Sequence, residues 1–150
     1  VLFVCSGNTC RSPMAEAIAR KLLAGEMDVA PDRLKEFGLE IRSAGTMAAA
    51  GAPATPEAVQ AARGQGADAS RHRSSRLTPE LIHWADLVFC MGAGHVELVT
   101  GLVPTAAEKV YRLDAAADIP DPIGAGLETY RQTAERIAQA VESRMDEGLL

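Results

Sequence analysis

The segment 5–11, with the sequence CSGNTCR, combines a nucleophilic thiol with a side chain that binds anions. Five residues separate Cys5 from Arg11, and Ser12-Pro13 then gives a pair of residues that commonly opens a helix. The first N–H groups of a helix have no partner within the helix, and they lie at the positive end of its dipole. A loop that leads into such a helix can therefore hold a phosphate group, and Arg11 would add two parallel donors.

Cys5 is expected to be reactive in this position, because a helix N-terminus and a nearby arginine both favour the thiolate over the thiol. Ser12 is interpreted either as the helix cap or as a donor to the sulfur. Gly7 and Asn8 are of the two residue types that best tolerate the left-handed backbone of a loop whose amides turn inward. In the alternative interpretation, Cys5 is a buried cysteine at a strand end and Arg11 lies on the surface. The loop lacks the lysine of a nucleotide-binding P-loop.

The hydrophobic pattern around this loop predicts strands that alternate with helices. Such alternation favours a parallel sheet with right-handed crossovers and helices on both faces, in an α/β sandwich of about four strands. Ligands of such sheets bind beyond the carboxyl ends of the strands, where the loop 5–12 would lie. Thr55 and Thr78, each followed by proline, are predicted to cap helices. The predicted strands are 1–5, 39–43 at an edge, 86–91 and 109–113. The predicted helices are 14–23, 56–64, 79–85, 95–103 and 127–146. The segment 25–38 is predicted to be a long connection.

The composition limits the classes of function. A length of 150 residues with 23% charged residues is ordinary for one domain, so we expect a single domain over 1–150, either complete or excised from a longer chain. The net charge of −5 argues against non-specific nucleic-acid binding. The apolar runs are too short to cross a bilayer, and no signal-peptide pattern is present. Three cysteines without a secretion signal favour free thiols in a reducing, cytoplasmic compartment. No residue cluster has metal spacing, so we expect neither a metal nor a cofactor.

The segment 4–16, VCSGNTCRSPMAE, resembles the active-site signature of the low-molecular-weight protein tyrosine phosphatase family. Further blocks are similar to that family in order and spacing, namely 43–46 (SAGT), 72–78 (HRSSRLT), 85–91 (ADLVFCM) and Asp121-Pro122. The resemblance covers nearly the whole chain and departs mainly at 25–38, which looks longer than usual. It implies the family's fold, a three-layer sandwich with a four-stranded parallel sheet and helices on both faces, and the activity of a cysteine-dependent phosphatase.

The resemblance also implies roles for individual residues. Cys5 would be the nucleophile, Arg11 the phosphate clamp and Asp121 the general acid that protonates the leaving group. Taken alone, Asp121 belongs to an Asp-Pro pair typical of a turn, and only the resemblance assigns it to catalysis. Ser12 would stabilise the thiolate, and Cys10 would be the partner thiol that traps Cys5 as a disulfide under oxidation. The substrate-binding loop would comprise Ser6, Gly7, Asn8, Thr9, Cys10 and Ser12, and the residues that support its conformation would be Asn8, Ser43 and His72.

Two features bear on the substrate, which would be a phosphorylated protein side chain. Tyrosine-directed members carry an aliphatic residue where Thr9 stands and aromatic residues after the Asp-Pro pair, which here precedes IGAG at 123–126. Thr9 and the Gly-rich segment 123–126 resemble instead the bacterial protein arginine phosphatases, so phosphoarginine is slightly favoured over phosphotyrosine. The alternatives are an arsenate reductase, which would need two further cysteines where only Cys90 remains, and a catalytically silent phosphate-binding module. His83 and His95 are interpreted as ordinary surface or core histidines, and Cys90 as a buried core thiol.

Overall fold

A computed structural model describes all 150 residues and contains four strands and five α-helices. Strands and helices alternate along the chain as the hydrophobic pattern predicts. Two 3₁₀ segments, Pro31–Phe37 and Pro104–Lys109, lie in the connections. The strands are β1 (Leu2–Cys5), β2 (Arg42–Gly45), β3 (Val88–Cys90) and β4 (Val110–Arg112), and the helices are α1 (Arg11–Met27), α2 (Pro56–Gly64), α3 (Pro79–Trp84), α4 (Ala93–Leu102) and α5 (Leu127–Asp146).

The sheet has the strand order β2-β1-β3-β4 with every pair parallel, which confirms the four-stranded parallel sheet and the edge position of β2. At the centre, Val4 lies opposite Ala44 of β2 and Cys90 of β3. From β1 the chain continues to β2, at one edge of the sheet, and later returns to form β3 on the other side of β1. The loops that follow β1 and β3 therefore diverge, and a crevice forms between them at the carboxyl ends of the strands.

The two faces of the sheet carry separate cores, because side chains alternate along each strand. Phe3 belongs to the larger core, which contains buried residues of α1, α2 and α5. Leu2 and Val4 belong to the smaller core, which contains buried residues of α3 and α4. Helices thus cover both faces, as expected for a three-layer sandwich. The sequence of α5 places apolar residues at intervals of three or four, which predicts one buried face. These residues are fully buried at Tyr130, Ala134, Ile137 and Val141 and partly buried at Met145.

The predicted start of the first helix is wrong. α1 begins at Arg11, and Cys10 rather than Ser12 is the residue that precedes it. Pro13 is therefore the third helical residue, a position that tolerates proline because the first N–H groups of a helix need no partner within it. Ser12 lies inside the first turn, where its side chain reaches back to the preceding loop instead of capping the helix.

The segment 25–38 is more ordered than the predicted connection. α1 continues to Met27, and the 3₁₀ segment Pro31–Phe37 follows almost at once. The second strand is 42–45 rather than 39–43, because Leu39 N–H bonds back to Leu34 O and closes the 3₁₀ segment. Pairing with β1 begins only where Arg42 N–H donates to the first carbonyl of the chain, at 2.9 Å.

The other boundaries agree more closely with the sequence. Thr55 and Thr78 cap α2 and α3 as predicted, accepting from backbone N–H groups three residues ahead at 3.2 Å in each case. The fourth helix begins two residues earlier than predicted, at Ala93. None of the helices has both the length and the apolar character that crossing a membrane would require.

Candidate active site

The phosphate loop, defined as residues 5–12, connects the end of β1 to the first turn of α1. Asn8 has a φ of 56°, in the left-handed region that residues other than glycine rarely adopt. Within the loop, Cys5 and Asn8 are buried. Gly7 is exposed, while Ser6 and Thr9 are partly exposed. The loop is therefore closed at its base and open to solvent on the side of residues 6, 7 and 9.

Cys5 lies at the base of the phosphate loop, with its sulfur close to two donors. Ser12 Oγ is 2.9 Å from the sulfur, and Asn8 N–H donates to it at 3.3 Å. Since Ser12 Oγ already accepts from Asn8 Nδ2 at 2.8 Å, its own hydrogen can point at the sulfur. Of the two interpretations of Ser12, the geometry therefore favours the donor to sulfur. Donors that converge on a sulfur stabilise its anionic form, which is the nucleophilic one.

Asn8 holds the unusual backbone of the loop through all of its polar groups. Its Nδ2 donates to Ser12 Oγ and, at 3.0 Å, to Ser43 Oγ of β2. Its Oδ1 accepts from Ser75 N–H at 2.8 Å, and its carbonyl oxygen is 2.6 Å from His72 Nε2. The structure thus brings together Asn8, Ser43 and His72, the three residues expected to support the loop. Because Asn8 is fully buried, each of these contacts satisfies a polar group that water cannot reach.

Gly45, at the end of β2, packs directly against the phosphate loop. A Cβ at this position would lie 2.5 Å from Ser6 O and 2.9 Å from Asn8 N, both of them backbone atoms of the loop. Immediately afterwards, Met47 N–H donates to Ser6 O at 2.9 Å. The close approach of β2 therefore requires glycine. Gly45 belongs to the block 43–46 that resembles the family, but its neighbours in the sequence give no sign of this role.

Arg11 and Asp121 meet on the other side of the loop, although they are far apart in the sequence. Arg11 is buried, its Nη1 donates to Ile119 O at 3.0 Å, and its Nη2 is 3.5 Å from Asp121 Oδ2. Asp121 lies in the connection between β4 and α5, and 42% of its side chain is exposed. Its Oδ1 accepts from Ile123 N–H at 3.1 Å. The Asp121 carboxyl group thus contacts the buried arginine and is also exposed to solvent, at the opening of the site.

Cys10 and Cys90 occupy different environments. The sulfur of Cys10 is 3.2 Å from the hydroxyl of Tyr130 in α5. Burial, with the hydrogen bond to Cys10, raises the pKa of Tyr130 to about 12, so the phenol stays protonated at neutral pH. Cys90 is buried in the smaller core, and this burial raises its pKa to about 12. All three cysteines are free thiols, and only Cys5 and Cys10 belong to the phosphate loop.

His95, in the first turn of α4, contacts the phosphate loop and was missed by sequence reasoning. Its Nε2 is 2.9 Å from Ser6 Oγ, whereas its Nδ1 is buried without a hydrogen-bond partner. Burial, and after it the positive charge of Arg11, lowers the pKa of His95 below its ordinary value of 6.5. The ring is therefore neutral at neutral pH. No local pattern marks His95, which reaches the loop only because β3 lies beside β1; His83, by contrast, is exposed.

A cleft of about 370 Å³ opens beside the phosphate loop, between the loop and the first turns of α4. Asp118 is one of its lining residues, and Asp118 Oδ1 accepts from Ala93 N–H and from Arg112 Nη1, each at 3.0 Å. These bonds tie the connection that carries Asp121 to the start of α4. The cleft, named the side cleft, is lined by Ser6, Arg11, Met47, His95, Leu98 and Asp118, among others.

The site combines a buried thiol that contacts a hydroxyl and a backbone N–H, a buried cation and a partly exposed carboxyl group. Such a set suits attack on the phosphorus of a bound phosphate ester or phosphoramidate, with the carboxyl group near the leaving atom. No group of three or more His, Cys, Asp or Glu side chains is arranged to hold a metal ion.

Comparison with known proteins identifies relatives along almost the whole chain. The family model described as "Low molecular weight phosphotyrosine protein phosphatase" matches residues 1–147. A protein-arginine-phosphatase of Geobacillus stearothermophilus is 36% identical over 148 residues, which cover 95% of this chain and 90% of that protein.

Solved structures give the same result for the fold. A low molecular weight protein tyrosine phosphatase from T. tengcongensis is 34% identical and matches with a TM-score of 0.85, over 97% of each chain. A mutant of the arginine phosphatase YwlE that carries a phosphorylated active-site serine is 32% identical, with a TM-score of 0.83 over 97% of this chain and 93% of that chain.

Proposed function

This chain belongs to the low molecular weight phosphotyrosine protein phosphatase family, and from that membership we propose that it hydrolyses phosphorylated protein side chains through a phosphocysteine formed on Cys5. The observation that carries the proposal is the convergence of Ser12 Oγ and Asn8 N–H on the Cys5 sulfur, at the base of a loop flanked by the Arg11–Asp121 pair. A nucleophile, a clamp for the phosphate oxygens and an acid are thus within one site.

In the first step, the Cys5 thiolate attacks phosphorus and forms an S–P bond while the bond from phosphorus to the leaving nitrogen or oxygen breaks. Asp121, in its protonated form, gives its proton to the leaving atom. Arg11 and the backbone amides of the phosphate loop hold the three phosphoryl oxygens, whose negative charge they stabilise in the transition state. The dephosphorylated side chain then departs and leaves phosphocysteine and the Asp121 carboxylate.

In the second step, water attacks the phosphorus of phosphocysteine and the S–P bond breaks. The Asp121 carboxylate takes one proton from that water, so inorganic phosphate leaves and the thiolate and the protonated acid are restored. Ser12 supports both steps, because its hydroxyl stabilises Cys5 as the attacking and as the leaving thiolate. The phosphorylated active-site serine in the YwlE mutant supports transfer of the phosphoryl group to the nucleophile position in a relative.

The alternative activities have less support. An arsenate reductase of this fold would need two further accessible cysteines, whereas Cys90 is buried in the core and burial raises its pKa to about 12. A silent phosphate-binding module would have no use for Asp121 beside Arg11. The named relatives are phosphatases.

Phosphoarginine is the favoured substrate because the mouth of the site lacks an aromatic wall. Ile123, which follows the Asp-Pro pair, is 62% exposed and offers only an aliphatic contact. Tyr130 contacts the loop through Cys10 but is buried, so it cannot stack on a substrate ring. Thr9 is partly exposed, with its Oγ1 3.6 Å from where a Cβ on exposed Gly7 would stand. A hydroxyl there and the Asp121 carboxyl group, which keeps an acceptor oxygen when it is protonated, suit a guanidinium, which needs acceptors.

Phosphotyrosine is the second candidate, since the tyrosine phosphatase of T. tengcongensis is nearly as similar to this chain as the arginine phosphatase of Geobacillus stearothermophilus. The experiment that separates them measures kcat/KM for matched phosphoarginine and phosphotyrosine peptides. We expect the larger value for phosphoarginine. A wild-type protein that ignores phosphoarginine would assign the site to tyrosine.

The phosphatase activity itself is tested with a chromogenic aryl phosphate. Cys5→Ser should lower turnover by roughly 10³-fold or more while inorganic phosphate still binds, because the loop amides and Arg11 remain. Cys90→Ala is the matched control, since it removes a thiol outside the site, and it should retain turnover. Activity that survives in Cys5→Ser would refute the phosphocysteine mechanism.

Thr9 is tested by two substitutions of different size. Thr9→Ile should raise the phosphotyrosine-to-phosphoarginine ratio of kcat/KM by roughly ten-fold or more, because an apolar wall disfavours a guanidinium. Thr9→Val keeps the size of threonine and removes only the hydroxyl, so a similar shift would assign the effect to hydrogen bonding. An unchanged ratio in both variants would make Thr9 a packing residue of the loop.

A further inference from the structure

The side cleft begins at the phosphate loop and extends away from it. Ser6 and Arg11 belong both to the loop and to the lining of the cleft, so the two spaces are continuous. The cleft lies between the segments that follow β1 and β3, at the point where the strand order reverses, and this is the place where α/β sheets bind ligands. Its volume, about 370 Å³, falls within the range of small binding pockets.

The charged side chains that line the side cleft already have partners within the protein, whereas His95 Nδ1 is buried without one. Asp118 Oδ1 is held by Ala93 N–H and by Arg112, and the Arg11 guanidinium is held by Ile119 O and the Asp121 carboxylate. His95 Nε2 contacts Ser6 Oγ, and its Nδ1 is not in contact with solvent. The charged groups of the cleft therefore offer little to an additional charged ligand.

The apolar groups of the side cleft, in contrast, are exposed. Met47 and Leu98 of α4 both line the cleft, and they are 79% and 53% exposed, respectively. Gly94, one turn before Leu98 in α4 and also in the cleft lining, has no atom within 4 Å of the place where its Cβ would stand, so the space beside it is open. An apolar side chain that entered this space would remove both Met47 and Leu98 from water.

We propose that the side cleft binds an apolar side chain of the protein substrate, one or two residues away from the phosphorylated residue. This inference rests on the proposed function, since the phosphoryl group held by the phosphate loop brings the neighbouring substrate residues to the cleft. In an extended chain, two residues span about 7 Å, so a residue at that separation from the phosphorylated one can enter a cleft that adjoins the loop. The cleft thus makes the enzyme selective for sequence around the modified residue.

The test compares peptides that carry the same phosphorylated residue and differ at one flanking position, with leucine, asparagine or lysine there. Positions one and two residues to either side are examined in turn. At one of these positions the wild-type protein should give a kcat/KM about ten-fold higher for leucine than for asparagine, as expected for partial burial of a leucine side chain. Asparagine is the control for size, and lysine is the control for selection by Asp118.

Variants assign the preference to the cleft. Leu98→Ser and Met47→Ser should each reduce the leucine-to-asparagine ratio to about two or less, since each removes one apolar wall. Leu102→Ser is the matched control: Leu102 lies one turn further along α4, is 52% exposed and is outside the cleft lining. It should leave the ratio at the wild-type value. A loss of active protein lowers both rates and cancels in the ratio.

The outcomes separate this inference from the proposed function. Wild-type protein that hydrolyses an aryl phosphate but shows no leucine preference at any flanking position would overturn the role of the side cleft alone. A preference for lysine would overturn it too, because Asp118 would then select the substrate. An equal loss of the preference in Leu98→Ser and Leu102→Ser would assign it to another surface. Absence of aryl phosphate hydrolysis in the wild type would instead refute the proposed function.

Discussion

Replacing Gly45 with alanine should damage phosphate binding far more than it damages the fold. The new Cβ would stand 2.5 Å from Ser6 O and 2.9 Å from Asn8 N, whereas 3.4 Å or more is an ordinary contact. Both atoms belong to the backbone of the phosphate loop, so the loop must move by about 1 Å relative to β2. Misplacement of that size costs on the order of 10²-fold in rate, and overpacking of this kind costs about 1–3 kcal/mol of stability.

The assay measures kcat/KM for an aryl phosphate, the dissociation constant for inorganic phosphate and the unfolding temperature. Gly25→Ala is the matched control, because Gly25 is an exposed helical residue of α1 with no atom within 4 Å of its Cβ position. It should keep wild-type activity and gain roughly 0.5–1 kcal/mol of stability. If Gly45→Ala retains kcat/KM and phosphate affinity within two-fold of wild type, the contact between β2 and the loop does not shape the site.

Three further predictions concern Asp121, Cys10 and His95. Asp121→Asn should lower kcat/KM by roughly 10²-fold or more for aryl phosphates with poor leaving groups and much less for good ones; equal losses across the series would remove Asp121 from the role of acid. Cys10→Ser should lose the recovery of activity that a thiol reductant gives after peroxide treatment, if Cys10 protects Cys5 as a disulfide as the family resemblance implies; recovery equal to wild type would place the protective partner elsewhere. Burial and the charge of Arg11 lower the pKa of His95. Just below pH 6.5, the unfolded chain therefore binds more protons than the native chain does. The free energy of unfolding consequently falls as pH is lowered through that window. Denaturant unfolding from pH 7 to pH 5 should therefore show a weaker dependence in His95→Asn, and parallel curves would contradict this assignment.

The parts of the structure that depend on neighbouring residues could be predicted from the sequence. The caps at Thr55 and Thr78 and the buried stripe of α5 follow from contacts within three or four residues, so their signals are local. The phosphate loop could be proposed because Cys5 and Arg11 lie within one short segment. The family resemblance then gave Asp121 its expected role as acid, whereas residue patterns alone assign it to a turn.

The parts that depend on distant residues could not be predicted in this way. Position 45 requires glycine because the Ser6 carbonyl oxygen lies too close for a Cβ, and His95 belongs to the site because its ring contacts the Ser6 hydroxyl. Both contacts arise only when β2 and β3 flank β1, and no local pattern encodes that neighbourhood. The helix start was misplaced for a related reason: Ser12-Pro13 is a common opening, but here the serine bonds to the sulfur and to Asn8 instead of capping.

The contact between Arg11 and Asp121 has a consequence for the end of the catalytic cycle. A buried guanidinium with no counter-charge would hold inorganic phosphate tightly, and release of that product would limit turnover. Asp121 Oδ2, at 3.5 Å from Arg11 Nη2, competes with the phosphate oxygens for the same cation. Once Asp121 has given the proton taken in the second step to solvent, we therefore expect its carboxylate to speed the departure of phosphate and to weaken product inhibition, so that one side chain both delivers a proton and clears the site for the next substrate.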